Sequence, residues 1–303
     1  MKQYDIVVVG GGPAGLTAGL YGLRNGKSVL VIEKSVFGGQ IVNSPKVENI
    51  PGFESISGEE FGDLLLNQVT KQNGEVLFDI VTNVQANDNE VIVNLQDSEA
   101  VSGKTCILAL GTTHRTLGLE NEEKLIGKHI HFCAVCDGSF YKDKNVVMIG
   151  GGNSALVDSN FLVNIVSKLT ILQDLPTLTG EQRLQELLLQ NDKVDVYTST
   201  KILEYVMNND EFVGVKYLHD GQEKIIECDG VFLAVGLVPD NNNFKNVCEQ
   251  DDRGYFKVDE SALTKTKNVF VAGDCRSKAL RQVATACSDG ANAAIQACNY
   301  LRK

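Results

Sequence analysis

The chain has 303 residues, eight cysteines and a formal net charge of −11. That length suggests two domains, each with a core of its own, and the negative charge argues against a nucleic-acid surface. No apolar run reaches the length of a membrane span, and Met1-Lys2-Gln3-Tyr4 leads straight into a strand rather than a signal peptide, so the expectation is a cytoplasmic protein with no membrane partner.

Residues 5–9, Asp-Ile-Val-Val-Val, form a β-branched run that reads as a buried parallel strand. Gly10-Gly11-Gly12-Pro13-Ala14-Gly15 follows, and a helix is predicted over about 14–25. Strand, glycine turn and helix in that order make a dinucleotide cradle. The glycines permit the turn and let the backbone approach a pyrophosphate, whose charge the free N–H groups and positive dipole end of the helix can hold. The next strand, predicted over 28–32, leads to Glu33, whose carboxylate can accept hydrogen bonds from both hydroxyls of a ribose. The bland reading, a glycine turn with nothing bound, requires these agreeing features to coincide by chance.

The pattern returns as a second apolar strand over 145–149, then Gly150-Gly151-Gly152-Asn153-Ser154-Ala155 and a helix from about 154. Here the following strand, predicted over 168–172, ends in Gln173-Asp174, so Gln173 stands where Glu33 stands in the first copy. An NADPH site normally supplies arginines at this point to grip the 2′-phosphate. No Lys or Arg occurs from Thr170 to Gln182, and Asp174 and Glu181 would repel a phosphate. Asp174 could instead bind the unmodified ribose of NADH. The competing reading keeps this second turn only as a packing scaffold.

The eight cysteines are better read as thiols than as a disulfide framework. Cys106, Cys228, Cys248, Cys275, Cys287 and Cys298 are scattered, and each reads as a small core residue. Cys133 and Cys136 form the one closely spaced pair, suited to a reversible disulfide. If a helix begins there, its N-terminus would lower a thiol pKa from about 8.5 toward neutrality. Asp137 follows directly and could supply or remove the proton that thiol–disulfide exchange requires. A zinc site is the rival: His131, Cys133 and Cys136 form an H-x-C-x-x-C triplet that His129 or a distant cysteine could complete, yet no second close pair exists, so no metal is expected. His114 and His219 stand alone.

Together these residues resemble the low-molecular-weight thioredoxin reductases over essentially the whole chain. The family's FAD motif is matched by Gly10 to Gly15 with Glu33, and its flavin-contacting segment by Gly38-Gly39-Gln40 and by 47–52, which contains Asn49. Its redox segment is similar to 132–141, and its C-terminal flavin stretch to Val271-Ala272-Gly273-Asp274-Cys275 with Arg281, Gln282 and Val283. The resemblance implies an α/β protein of two Rossmann-like nucleotide-binding domains, the second inserted into the first. The FAD-binding domain would be 1–114 with 241–303, and the insert, 115–240, would carry the dithiol. The apolar strand ends at 108–112 and 233–239 are the expected crossings, with Gly111 and Gly236 as hinges for a rotation that presents dithiol and second cradle in turn.

The resemblance further implies that FAD reduces the Cys133–Cys136 disulfide, with Cys136 nearer the flavin. Cys133 would attack the disulfide of a thioredoxin-like partner, Cys136 would resolve the mixed disulfide, and Asp137 would donate the proton. Asp274 would contact the ribityl or phosphate region, and the protein would be a homodimer. The departure from the family is the missing basic motif after the second cradle. The expected donor is therefore one other than NADPH: ferredoxin, a second FAD, or NADH. An ordinary NAD(P)H-dependent thioredoxin reductase is the alternative, and a flavin-bearing electron carrier or redox sensor without turnover is a reading of another class.

Overall fold

A β-branched, alternately buried opening segment forms strand β1 (Gln3–Val9) in the computed structural model, which describes residues 1–44 and 47–302. Helix α1 (Pro13–Arg24) follows, with proline at its first position, where a missing N–H costs nothing. Next come β2 (Val29–Glu33) and α2 (Gly58–Thr70), whose N-cap Ser57 accepts from the Glu60 N–H. Strands β3 (Glu75–Phe78), β4 (Val81–Ala86), β5 (Val91–Leu95) and β6 (Val101–Leu108) complete the first segment.

The chain continues through β7 (Thr113–His114), α3 (Glu122–Leu125), β8 (Ile130–His131), α4 (Ala134–Asp137), β9 (Asn145–Ile149), α5 (Asn153–Leu162) and β10 (Lys168–Leu172). Helix α6 (Gln182–Leu189) and β11 (Val194–Tyr197) lead to an antiparallel meander of β12 (Lys201–Asn208), β13 (Glu211–His219) and β14 (Gln222–Glu227). Then follow β15 (Gly230–Leu233), β16 (Leu237–Val238), β17 (Val269–Val271) and the long helix α7 (Val283–Tyr300).

Two compact units result, residues 1–113 with 238–303 and residues 114–237. These divisions fall one residue before 114 and three before 241, the domain bounds expected from the sequence. Residues 113–114 and 237–238, where the chain passes from one unit to the other, pair as β7 and β16.

In the first unit the order is β3-β2-β1-β6, all parallel, with Val7 opposite Leu30 on one side and Cys106 on the other. Along its far edge β6 pairs first with antiparallel β5 and then with parallel β17, so strand ends at Val9, Glu33, Leu108 and Val271 face the same way. Apolar clusters cover both sheet faces. One gathers Val7, Leu30, Cys106, Phe256 and Val269, the other Ile6, Val31, Leu16, Phe270 and Ala293.

The second unit repeats the plan with the parallel order β11-β10-β9-β15-β8, one face packed on α5 and Leu188 of α6, the other on the meander through Tyr205 and Val215. The fold is α/β with two Rossmann-like halves. Five of the six cysteines outside the close pair are buried and Cys287 is half-buried, as small core residues would be. Among the described residues no helix is long and apolar enough to cross a membrane.

Candidate active site

The first glycine turn is built by close approach. Gly10 donates from N to Ile32 O at 2.7 Å and adopts φ +107°, and a Cβ there would lie 2.2 Å from Ala109 O. Gly12 caps α1 with no side-chain bond, Pro13 has no N–H, and the first intrahelical bond runs from Leu16 N to Gly12 O. The N–H groups of Ala14 and Gly15 therefore precede the helical ladder, where an anion is favoured.

Glu33, 7% exposed, accepts from Gly11 N at 2.6 Å through Oε2 and from Ser35 N at 2.8 Å through Oε1. Its carboxylate thus anchors the glycine loop and also lines a cleft of about 120 Å³ shared with Val9, Gly10, Lys34, Asp79, Leu110 and Phe244. Gly38 N donates to Gly11 O at 2.8 Å, and Gly39 opens a 3-10 turn (Gly39–Asn43) directly against Gly12. Gln40 donates through Nε2 to Thr112 O. Asn49 Nδ2 donates to Gln282 Oε1 at 3.0 Å, tying the two segments together just before Val283 opens α7.

At the end of β17, Gly273 turns at φ +82° beside Ala14, and its N–H reaches Asp289 Oδ2 at 3.1 Å. Asp289 sits between Arg276, at 2.8 Å, and Lys278, at 3.0 Å. Burial opposes its charge, and these two cations nevertheless hold its carboxyl below the usual range. Burial pushes Asp274 the other way, upward, against Lys278 at 3.2 Å. Its buried Oδ1 is ion-paired there without an aligned hydrogen bond, so it keeps acceptor capacity. Arg281 stacks on Tyr255 at 4.0 Å and donates through Nε to Asp274 O at 3.2 Å. Gly111 turns at φ +66° with open space where a side chain would be.

All fifteen residues expected to bind the first cofactor thus lie in one unit, at the end of β2 or in the segments that follow β1, β2, β6 and β17. The open turn at Gly12, the N–H groups of Ala14 and Gly15, the Glu33 cleft and the spare acceptor of Asp274 fit a dinucleotide. Residues 45, 46 and 303, which include the end of the basic tail Tyr300 to Lys303, lie outside the described residues.

The second turn copies the first. Gly150, at φ +123°, donates to Leu172 O at 2.9 Å, and a Cβ on it would meet Ala234 O at 2.3 Å. Thr179 N donates to Gly151 O at 2.8 Å, the bond Gly38 makes to Gly11 in the first copy. Gly152 caps α5 without a side-chain bond, ahead of Asn153, Ser154 and buried Ala155. Gln173 is buried against Gly151 and donates through Nε2 to Thr177 O at 3.4 Å.

Asp174 is exposed, and Glu181, unremarked beyond its charge in the sequence, is the acid that reaches the turn. Its N–H donates to Asn153 Oδ1 at 2.7 Å and its Oε1 accepts from Asn153 Nδ2 at 3.4 Å. An Asn at the start of one helix and a Glu just before the next is the signal for this latch.

Cys133 and Cys136 form a disulfide with Cα atoms 5.4 Å apart. Cys133 is the extended N-cap of α4, and its Sγ accepts from Cys136 N at 3.2 Å. The helix expected to start here is a single turn of four residues, so its dipole is small. It is propped on α5: Ala134 N donates to Asp158 Oδ2 at 3.4 Å, and Gly138 lies against Phe161 and Leu162. Burial raises the Asp158 carboxyl from 3.8 to about 6.

Asp137 Oδ2 is 3.0 Å from His131 Nδ1, and His131 Nε2 is 2.8 Å from the Tyr141 hydroxyl. The triplet considered for zinc is thus otherwise engaged, its two sulfurs with each other and its imidazole with Asp137 and Tyr141. Among the described residues no group of three His, Cys, Asp or Glu is arranged to hold a metal. Of the two lone histidines, His114 stacks on Phe132 at 4.9 Å, where burial lowers its pKa, and His219 packs with Tyr197 and Tyr217.

This geometry agrees with what the chain is similar to. A family model described as pyridine nucleotide-disulphide oxidoreductase matches residues 4–290. The thioredoxin reductase of Listeria monocytogenes is 38% identical over 100% of this chain and 95% of its own length. The crystal structure of T. acidophilum thioredoxin reductase superposes with a TM-score of 0.94 at 32% identity, covering 100% of both chains. That of the Lactococcus lactis enzyme gives 0.94 at 29% identity, covering 99% of both. With two nucleotide turns, a redox disulfide and these relatives, the chain belongs to the pyridine nucleotide-disulphide oxidoreductase family and is an FAD-dependent disulfide oxidoreductase of the thioredoxin reductase type.

Proposed function

We propose that the chain reduces the disulfide of a thioredoxin-like protein through Cys133 and Cys136. The observation that carries this reading is the Cys133–Cys136 disulfide on α4, in the same unit as a second nucleotide turn. FAD, when bound in the first cradle, supplies a two-electron carrier able to reduce that disulfide. The turn from Gly10 to Gly15 would hold its pyrophosphate, Glu33 a ribose, and Asp274 the ribityl or phosphate region. Gly39, Gln40, Asn49, Gly111, Gly273, Arg281, Gln282 and Val283 would surround the rest.

Cys136 would face the flavin. Cys133 would attack the partner's disulfide, Cys136 would then attack Cys133 Sγ to release the partner, and Asp137 would pass the proton. Gly111 and Gly236, both at positive φ with open space around them, suit the hinge role. The reading carries with it a homodimer in the cytoplasm.

The match to the family described as pyridine nucleotide-disulphide oxidoreductase supports a pyridine nucleotide as donor over the ferredoxin or second FAD expected from the missing basic motif. Between the two nucleotides the local charge favours NADH. Gly150, Gly152, Asn153, Ser154 and Ala155 would take the pyrophosphate, while Asp174 and Glu181 on the rim oppose a 2′-phosphate and could accept from free hydroxyls. The Glu181–Asn153 latch favours a second reading, in which the carboxylate occupies the anion site and the donor is ferredoxin or a flavin bound elsewhere.

An anaerobic titration of the flavin-loaded protein with NADPH and then NADH, followed by flavin absorbance, decides. Bleaching by NADH alone supports the proposal. Stoichiometric bleaching by NADPH overturns the charge argument, and no bleaching by either favours the second reading. Turnover with oxidised thioredoxin separates a reductase from a carrier or sensor.

A further inference from the structure

Behind Asp137 lies a buried polar chain that takes no direct part in thiol–disulfide exchange. His131 is 5% exposed and Tyr141 4%. Asp137 Oδ2 is 3.0 Å from His131 Nδ1, His131 Nε2 is 2.8 Å from the Tyr141 hydroxyl, and that hydroxyl is 3.2 Å from Lys128 O. The ring is wedged against Phe232 of β15. A buried imidazole with both nitrogens at hydrogen-bond distance from ordered partners is oriented for a purpose or at a cost.

The polar chain has two fully paired protonation states. Lys128 O only accepts, whereas the Tyr141 hydroxyl has one proton and two neighbours able to take it. In one state His131 carries its proton on Nδ1 and donates to the Asp137 carboxylate, while Tyr141 donates to Nε2. In the other, one further proton has entered the Asp137–His131 pair, Nε2–H donates to Tyr141 O, and the Tyr141 hydroxyl has turned to Lys128 O. No side chain of the three is left unpaired in either state, and the two differ by one proton and one hydroxyl rotation.

We propose that His131, backed by Tyr141, is a positioning residue that holds the Asp137 carboxyl at the dithiol and lets it take up and release one proton without a change of place. The inference rests on Asp137 as the proton donor. During exchange Cys133 and Cys136 lose two electrons and become a disulfide, and the partner's disulfide gains them and becomes two thiols. Cys133 attacks as the thiolate, having given its proton to solvent. Asp137 gives a proton to the first partner sulfur released and regains one from the Cys136 thiol as that sulfur attacks Cys133 Sγ and the bond from Cys133 to the partner breaks. The second partner sulfur leaves as a thiolate and takes from solvent the proton that Cys133 lost, so protons and electrons balance. The other titratable or charged groups around the pair are Lys144 over the Tyr141 ring, Asp158 on α5, and Cys228 and Asp229 ahead of β15.

Asn and Gln separate the two ring nitrogens, since an Asn amide can replace Nδ1 and a Gln amide Nε2. Flavin-loaded protein pre-reduced with dithionite would be mixed with oxidised thioredoxin and the rate followed from pH 6 to 9, with flavin content and thermal midpoint as controls. Asp137→Asn should lose about 100-fold. His131→Gln should lose about 10-fold and alter the pH profile, while His131→Asn should stay within about 3-fold of the parent. In an Asp137→Asn background His131→Gln should add less than about 2-fold, as expected of groups acting as one unit. Equal losses in His131→Gln and His131→Asn, or a full further loss in the double variant, would overturn the role of His131. An Asp137→Asn protein with parental rate and profile would instead remove the proton-donor reading beneath it.

Discussion

Replacing Asp158 by Asn should stabilise the protein, and only above mildly acidic pH. Asp158 is mostly buried where α5 supports α4, with one long hydrogen bond, from Ala134 N at 3.4 Å, and burial raises its carboxyl from 3.8 to about 6. The folded protein therefore keeps its proton to higher pH than the unfolded chain does. Below 3.8 both states are protonated and nothing is lost. Between 3.8 and about 6 the unfolded chain releases a proton that the folded protein retains, so stability falls as pH rises through that window, and above it the loss is complete. At about 1.36 kcal/mol per pH unit the full loss is roughly 3 kcal/mol. Asn keeps an acceptor for Ala134 N and gives up about 1 kcal/mol through a weaker bond, which leaves about 2 kcal/mol, or roughly 5 °C in thermal midpoint. Thermal melts of parent and variant from pH 5 to 8 would test this: the difference should be full at pH 7.5 and about a third as large at pH 5, because the cost of the weaker bond does not change with pH. A difference that does not change with pH would refute the claim that this carboxyl is held in a desolvated place.

Cys133→Ser should abolish thioredoxin reduction while the flavin stays bound, as measured by turnover and by absorbance after gel filtration; retained turnover would mean that Cys133 is not the attacking sulfur. Asp289→Asn leaves Arg276 and Lys278, both buried, short of a counter-charge and should cost about 3–5 kcal/mol, read as a lower denaturation midpoint and faster loss of flavin. Gly10→Ala forces a Cβ to 2.2 Å from Ala109 O at φ +107° and should yield protein that folds poorly or purifies without flavin, whereas Ala at Gly26, which has φ +71° and nothing within 4 Å, should bind flavin normally at a cost of about 1 kcal/mol.

Both glycine turns and the dithiol were legible in the sequence because each depends on residues close together in the chain. A β-branched strand, a glycine at positive φ and a helix start follow one another within twenty residues, and the spacing of Cys133 and Cys136 alone allows their bond. His131 was legible only as a metal-ligand candidate. Its partners Asp137 and Tyr141 come under the ring through α4 and the 3-10 turn Gly138–Tyr141, and neither short element carries a periodic signal. Asp158 was invisible for a different reason. An acid in the middle of a helix ordinarily faces water, and only the seating of Ala134 on α5 reveals that this one does not. The Asp289 cluster joins residues of α7 to the turn after β17 and likewise needs tertiary structure to be seen.

The two cradles show how a repeated framework can be kept while its charge is changed. In both, a backbone N–H from the segment after the second strand reaches the carbonyl of the middle glycine, Gly38 to Gly11 and Thr179 to Gly151, each at 2.8 Å. In the first, the residue ending that strand is a buried carboxylate that grips Gly11 N from inside. In the second, Gln173 fills the same space without charge, and the acids have moved outward to Asp174 and Glu181, both exposed. A buried carboxylate acts at short range in a medium that screens it little, so on the proposed reading Glu33 would set the ligand preference of the first turn strongly. Carboxylates on a rim act through water and are screened over about 10 Å at ordinary salt, so they can bias a choice between two nucleotides without forbidding either. The missing arginines and the ordinary reductase framework are therefore compatible: the backbone retains the glycine turn, and on the proposed reading the rim would set which nucleotide enters it.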